Sequence, residues 1–310
     1  MDRYNIYSKY LKDKYGLKVY KIPVSIENTC PNRDGKLGYG GCTFCSNLGT
    51  GYEIMSNNLS IKEQVINTKE KLIKKYKAEK FIIYFQNYSN TYMKFDLFKK
   101  YINESVLEDV VEISISTRPD TISIEILEFL KEFSTNSGIN ISFEIGLQTV
   151  NYRTLDKINR GHGIGEFIDA VLNIKKYGFE ICAHVILNLP GDEDIDVIET
   201  AKVISALKIE SVKLHSLNIL KGSIMGIQYL NGEIEINSYE DYIDRMIKFI
   251  RYLDPTVVIQ RLFARAPEEQ TIFSNWNMSW WKLKDIFDKK MEDNNYTQGD
   301  LFNYLNGKAL

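Results

Sequence analysis

Up to residue 221, apolar runs of strand length alternate with stretches whose apolar positions recur at helical spacing. The strand-like runs are KVYKIPVSI (18–26), KFIIYFQNY (80–88), VVEISIST (110–117), NISFEIGLQ (140–148), EICAHVILNLP (180–190) and SVKLHSLNI (211–219). Helices are predicted over about 3–15, 60–77, 93–105, 121–134, 151–177 in two pieces, and 192–207. Such repeated strand–helix alternation reads as βαβ units with parallel strands. From residue 222 the character changes to a helix (238–252), a further β-like run TVVIQRLFA (256–264) and a Trp-rich helical tail. No Pro/Gly/Ser-rich linker divides the chain. Residues 1–221 are therefore expected to form the main α/β unit with its N-terminal helix, and 222–310 an extension packed on it.

The strands are polar on one side only. Successive strand side chains point to opposite faces. Ser114, Ser116 and Arg118 share a parity against Ile113 and Ile115; Glu144, Gly146 and Gln148 oppose Phe143, Ile145 and Leu147. Cys182, His184 and Asn188 oppose Ala183, Val185 and Leu187, and Lys213 and His215 oppose Val212 and Leu214. Tyr84 and Gln86 oppose Ile83 and Phe85. Parallel strands covered on both faces by apolar layers read as nearly continuous hydrophobic runs. Here the apolar face suits outer helices, and the polar face predicts a cavity for a polar ligand. Arg118, Gln148, Asn188 and His215 stand at or just past strand C-terminal ends, the edge where parallel α/β folds gather their ligands.

Composition narrows the class. The 310 residues are 44% hydrophobic and 26% charged, which suits a sizeable core and opposes disorder. A net charge of −2 argues against gripping nucleic acid through bulk positive charge, though a local patch remains open. The basic stretch KEKLIKKYKAEK (69–80) reads as a solvated helix face. The N-terminus carries no signal-like apolar run, and no segment approaches the roughly 20 apolar residues of a membrane span. The expectation is a soluble cytoplasmic protein with reduced thiols. Clustered cysteines in that setting read as metal ligands or redox groups.

Three of the four cysteines lie in CPNRDGKLGYGGCTFC, directly after the first strand. Eleven residues separate Cys30 from Cys42, and two separate Cys42 from Cys45. The loop holds no histidine, and the chain has only His162, His184 and His215, so a four-ligand zinc site needs a distant partner. An iron–sulfur cluster held by three thiolates instead keeps one iron open for another ligand. Gly35, Gly38, Gly40 and Gly41 let the loop wrap closely and offer backbone N–H groups. Cluster, zinc and coincidence all stay open on spacing alone. Cys182 reads as a small apolar filler.

This loop resembles that of the radical S-adenosylmethionine (SAM) enzymes, and in particular the YhcC/YtqA-like family, a relative of the elongator-type radical SAM proteins. The commonest spacing in that superfamily has three residues between the first two cysteines; the eleven found here match the subfamily. The resemblance continues through YFQNYSNTY, STRPD, EIGLQT, INRGH, HVILNLPGD and VKLHSLNILKG, in order along most of the chain. It implies a partial (β/α)6 TIM-like barrel. It also implies a [4Fe–4S] cluster on Cys30, Cys42 and Cys45, with SAM chelating the fourth iron. The cofactor contacts it implies are Phe44 near the adenine, Gln86 near the SAM amino group, Ser116 to Arg118 beside SAM, and Gln148 with Arg160. His184 would meet the ribose, and Leu187 to Leu189, with Asn188, would back the adenine. Reductive cleavage of SAM would then give a 5′-deoxyadenosyl radical that takes hydrogen from substrate. An external reductant such as flavodoxin or ferredoxin follows from that chemistry.

Glu144 has two readings: a buried structural carboxylate paired with Arg118, Arg160 or Lys213, or a direct ligand contact. Departures from the family pattern gather where substrate should sit. NLPG replaces the usual GLPG at Asn188, HSLN keeps His215 but puts Asn218 for a second histidine, and the run around 263–265 differs. Tyr88, Tyr92, Lys213, His215, Arg261 and Arg265 are the candidate substrate contacts, the three cations for an anionic group. Trp276, Trp280 and Trp281 read as core before RNA-stacking groups. The resemblance to members linked with wobble-uridine modification implies tRNA as substrate, at a 5-carboxymethylaminomethyl group. The alternatives are a radical SAM enzyme acting on a small metabolite or peptide, and a non-catalytic zinc or Fe–S protein that binds RNA.

Overall fold

The period-two runs lie side by side in chain order as β1 (Val19–Val24), β2 (Lys80–Phe85), β3 (Val110–Thr117), β4 (Asn140–Gln148), β5 (Glu180–Ile186) and β6 (Ser211–His215). The computed structural model describes residues 2–45, 58–264 and 266–307. Beyond β6, a short β7 (Ile219–Leu220) pairs antiparallel with β9 (Thr271–Phe273), while β8 (Val258–Arg261) pairs parallel with β6. The main sheet thus has seven parallel strands in the order β1-β2-β3-β4-β5-β6-β8. Its two edges meet through side chains: Lys21 Nζ of β1 donates to Gln260 Oε1 of β8 at 2.9 Å. The sheet is therefore curled into a partial TIM-like barrel.

The helices are α1 (Tyr7–Tyr15), α2 (Ile61–Tyr76), α3 (Phe95–Glu104), α4 (Ile124–Ser137), α5 (Tyr152–Lys157), α6 (Ile164–Lys176), α7 (Asp194–Ala206), α8 (Ile224–Leu230), α9 (Tyr239–Tyr252) and α10 (Trp280–Asp293). Local chemistry fixes several ends. Ser60 and Glu63 form a capping box at α2, and Ser238 and Asp241 do the same at α9. Each such cap contributes about 1 kcal/mol. Left-handed Gly16 and Gly138 close α1 and α4. The apolar strand face, including Ile113, Ile115, Phe143, Ile145 and Leu147, is fully buried in one core with Leu127, Leu130, Phe167 and Val171 of the outer helices.

Three differences from the sequence reading have physical causes. The run TVVIQRLFA supplies a seventh strand to the main sheet, where six were expected. Helix α1 starts at Tyr7 because Asn5 and Ile6 are drawn into extended pairing with β8; Ile259 N donates to Asn5 O at 2.8 Å. The SVKLHSLNI run leaves the sheet after His215, where Leu217 N turns to the side chain of Asn188 at 2.8 Å. The basic stretch 69–80 is the mostly solvated end of α2 and the turn into β2, with Lys69 and Lys80 both paired to Asp109. No described helix is long and apolar enough to cross a membrane.

Candidate active site

The polar strand face lines a cavity of about 980 Å³ inside the curled sheet, toward the strand C-terminal ends. Cys30, Cys42, Phe44, Cys45, Gln86, Tyr88, Ser116, Arg118, Gln148, Arg160, His184, His215 and Arg261 all contribute to its wall. Residues far apart in sequence converge because each strand end delivers one or two of them. Arg33, Arg118, Arg160, Arg261 and Lys284 line it, and no described lining residue is acidic.

The cysteine loop is folded on itself and tied to the turn between α5 and α6. Cys30 O accepts from Arg33 N at 2.8 Å, Asn32 O from Gly41 N at 2.8 Å, and Cys42 O from Cys45 N at 2.9 Å. Asn159 Nδ2 donates to Gly41 O at 2.9 Å, and Thr43 N donates to Ile158 O at 2.9 Å. Gly40 and Gly41 both adopt positive φ, 78° and 82°, a backbone that side-chain-bearing residues seldom adopt twice in succession. Two guanidiniums approach the sulfurs. Arg160 Nη1 lies 3.5 Å from Cys42 Sγ, and Arg118 Nη1 lies 4.0 Å from Cys30 Sγ. Arg118 is locked by Asp120 through two hydrogen bonds, at 2.8 and 2.7 Å, and donates to Arg160 O at 2.8 Å. Arg160 Nη2 donates to Gly146 O at 3.0 Å. A Cβ on Gly146 would press into Arg160 Nη2 and stand 2.6 Å from Gln148 Nε2, so the glycine makes room for both. Gln148 itself has φ 72°, at a register shift between β4 and β5. The hydrogen bond from Cys45, then Arg160 and Arg118, holds the Cys42 thiol well below the usual thiol range. The same bond pushes Cys45 up.

Beneath the cavity lies a buried ionic network centred on Glu144. It pairs with Lys21 of β1 and Lys213 of β6, and Oε2 lies 2.7 Å from His184 Nε2. Ser114 Oγ donates to Oε1 at 3.3 Å. Burial raises the carboxyl, but Lys21, Lys213 and His184 outweigh it and hold Glu144 well below the usual carboxylate range. Burial also lowers Lys213 to about 8, against the pull of Glu144, with Lys21 and Arg261 adding to the fall. Lys21 stays well above the ordinary value because Glu144 offsets its burial. Burial brings His184 down to about 4, so its imidazole is neutral at pH 7. His215 is pushed well below its ordinary value by burial, then by Arg261.

The candidate residues therefore divide. Glu144 and Lys213 sit below the cavity, paired to each other. Asn188 is buried, with its carbonyl oxygen on Leu217 N at 2.8 Å and its Nδ2 unpartnered. Tyr92 lies under Lys36, whose ammonium is 5.7 Å from the ring, and is not part of the cavity wall. Arg265 lies outside the described residues. Trp276 packs on Tyr242 and Phe273, Trp280 lines the cavity, and Trp281 is 60% exposed. Sequence reasoning missed Lys21, Asn32, Arg33, Gly146 as a spacer for Arg160, and Gln260. Lys21 carried a signal: it is a lysine inside a strand, opposite in parity to Ile22 and Val24.

The donor set fits a cluster better than a single ion. Tetrahedral zinc with thiolates at about 2.3 Å brings sulfurs within about 3.8 Å of one another. Among the described residues, the one set of three or more Cys, His or carboxylate groups with ligand atoms within 4.8 Å is Glu144, Cys182 and His184, not the loop cysteines. That other set is no metal site, since Glu144 is already held by two lysines and burial pushes the Cys182 thiol up to about 12. All three loop cysteines are free, one buried and two partly exposed, facing a polar cavity with guanidiniums beside them.

A parallel half-barrel with three thiols in its first βα loop defines a class: enzymes that hold an open-cornered cluster against a ligand cavity. Residues 25–204 match the model of the Radical SAM superfamily, and residues 209–293 that of the Radical SAM C-terminal domain. The uncharacterized protein YtqA of Bacillus subtilis is 33% identical over 304 residues, covering 98% of this chain and 94% of its own. Protein YhcC of Escherichia coli is 31% identical over 278 residues, covering 89% and 88%. Elp3 of the archaeon Methanocaldococcus infernus superposes with a TM-score of 0.68 at 16% identity, a likeness of fold; it covers 90% of this chain, which spans 64% of the Elp3 chain. The chain belongs to the radical SAM superfamily, in the family of YtqA and YhcC. It is a radical SAM enzyme, and the superfamily's cofactors are a [4Fe–4S] cluster and SAM.

Proposed function

We propose that the enzyme modifies the wobble uridine of tRNA, acting on a 5-carboxymethylaminomethyl group and removing its carboxymethyl part. One observation carries the reading beyond the cofactors: the cavity of about 980 Å³ is lined by five cationic residues and, among those described, by no acid. That volume is at the upper end for small-ligand sites and suits a cofactor plus an extruded nucleoside. Arg33 over Tyr88, at 5.4 Å, and Lys36 over Tyr92, at 5.7 Å, give the cysteine-loop side the mixture of cation and aromatic ring that single-stranded RNA favours. Tyr39 of the same loop is 79% exposed.

Cys30, Cys42 and Cys45 would hold the cluster, which supplies, from a reductant such as flavodoxin or ferredoxin, the electron that cleaves the S–C5′ bond of SAM. Arg160 and Arg118 offset thiolate charge and fix the loop. Gln86, Ser116, Gln148 and neutral His184 offer the convergent polar groups that SAM needs, because leaving its ammonium, carboxylate or ribose hydroxyls buried and unpaired would cost several kcal/mol. The Glu144 network holds His184 in place. Phe44, packed against the apolar cluster that includes Leu155 and Leu189, shields the apolar side.

The test compares modified nucleosides in tRNA from a wild-type strain and one lacking this gene. Accumulation of 5-carboxymethylaminomethyluridine in the deletion strain is expected. Unchanged wobble uridines would overturn the tRNA assignment while leaving the radical SAM class intact.

A further inference from the structure

The β6–β8 side of the cavity carries positive charge that the described residues do not neutralise. Arg261, the last residue of β8, stands in register with Lys213 of β6. Its Nη2 lies 2.9 Å from Nδ1 and 3.2 Å from Nε2 of His215, and among the described residues it has no carboxylate partner. Below it, Lys21 and Lys213 share the single carboxylate of Glu144. Three cations therefore stand against one anion, Lys21 and Lys213 within the barrel and Arg261 open to the cavity, and both nearby imidazoles are held neutral. Like charges grouped in this way repel one another, and an anion bound among them relieves that repulsion.

The surplus cations are engaged with His215 and Glu144 rather than with the sulfurs. The guanidiniums in contact with the sulfurs are Arg118 and Arg160, from the end of β3 and the turn after α5, and Arg33 of the cysteine loop acts on Cys45. Both are engaged, Arg118 with Asp120 and Arg160 with Gly146 O. Arg261 stands on β8, which the curl of the sheet brings back toward β1, and its hydrogen-bond partner is His215 rather than a cysteine. It is exposed into the cavity and anchored through one nitrogen, which leaves the rest of its planar donor fork for a ligand. Such a fork matches a carboxylate with two parallel hydrogen bonds.

We propose that Arg261, positioned by His215, binds a carboxylate of the substrate, at a subsite distinct from the SAM side of the cavity. Equating this carboxylate with the carboxymethylamino arm of a modified uridine rests on the tRNA reading; the anionic subsite itself does not. Lys213, paired to Glu144 below, supplies field rather than contact. His215 accepts from Arg261 and fixes its aim, which makes it a positioning residue.

N-methylglycine reproduces the carboxymethylamino arm and serves as the probe, with N-methylglycinamide as its uncharged counterpart and inorganic phosphate as competitor. Saturation-transfer NMR on the anaerobic holoenzyme with SAM reads binding. Transfer to N-methylglycine is expected for the wild type, weakened about 10- to 100-fold in Arg261→Gln, in keeping with loss of a charge-assisted pair. Arg261→Lys should recover part of it, and N-methylglycinamide should show none. SAM affinity of Arg261→Gln should equal that of the wild type, which also shows that the variant is folded. Equal transfer to wild type and Arg261→Gln, or none to the wild type, overturns the proposal. So does competition by phosphate at concentrations where N-methylglycine fails, which would assign the site to a phosphate, and so does loss of SAM binding in Arg261→Gln. Arg261-dependent binding together with unchanged tRNA nucleosides would retain the subsite and remove the tRNA reading.

Discussion

Arg160 donates through Nη1 to the sulfur of Cys42 at 3.5 Å, from 118 residues further along the chain. The contact joins the cysteine loop to the turn after α5, and Nη2 of the same guanidinium holds Gly146 O. Outer-shell partners of this kind typically contribute 10- to 100-fold to metal affinity. Arg160→Met should therefore lose iron from the reconstituted protein at least about tenfold faster on exposure to a chelator. Arg160→Lys should fall between, since it keeps charge but not the two-point geometry. Iron release followed at the cluster absorbance, with circular dichroism as the folding control, checks this; identical release rates would show that the contact is incidental.

Gly146→Ala probes the same contact from the sheet side. The added Cβ presses on Arg160 Nη2 and Gln148 Nε2, both side-chain ends that can move. The variant should fold, with a stability loss near 1–3 kcal/mol from overpacking. Its SAM affinity should fall by about tenfold or more as Gln148 and Arg160 are displaced. Equilibrium dialysis with labelled SAM measures it, and unchanged affinity would remove Gln148 and Arg160 from the cofactor contacts.

Glu144→Gln leaves Lys21 and Lys213 buried without their shared counter-charge. Breaking a buried ion pair from one side costs about 3–5 kcal/mol. The double variant Glu144→Gln/Lys213→Met should recover a large part of that loss, because it removes one orphaned charge. Urea midpoints of the single and double variants decide it; equal losses in both would mean that Glu144 acts through something other than these lysines.

The buried histidines set a pH dependence. The folded values for His184 and His162, about 4 and about 2, lie below the ordinary 6.5. The unfolded chain therefore binds more protons below pH 6.5, so stability is full above that value and falls as pH drops. Each histidine contributes a slope of about 1.4 kcal/mol per pH unit between roughly 6.5 and 4. Glu144, whose folded value is depressed from 4.5, adds to the loss below that pH. Urea midpoints of the apo-protein at pH 7, 6 and 5 should decline, and His162→Asn should flatten the decline by about one histidine's share. An unchanged slope in that variant would place the protonation elsewhere.

Much of this site was legible in the sequence because it depends on strand parity, a local property. Ser116, Gln148, His184 and His215 face the cavity together, as their alternation with Ile115, Leu147, Val185 and Leu214 suggested. The partners of Glu144 show where legibility stops. The pairing with Lys213 is one that strand parity suggests, but Lys21 reaches Glu144 only because the sheet curls until β1 and β8 approach each other. Closure is a property of the whole sheet and has no local signature. The seventh strand was hidden in the same way, since TVVIQRLFA is β-like anywhere and its place beside β6 is a long-range pairing. Gly146 looked like an ordinary gap in a strand; its use became visible only with Arg160 beside it.

The most direct test of the cluster assignment is anaerobic reconstitution of the full chain with iron and sulfide, followed by SAM and reductant. About four irons and four sulfides per chain and formation of 5′-deoxyadenosine are expected, both lost when Cys30, Cys42 or Cys45 is replaced by alanine. One zinc per chain with no cleavage of SAM would contradict it.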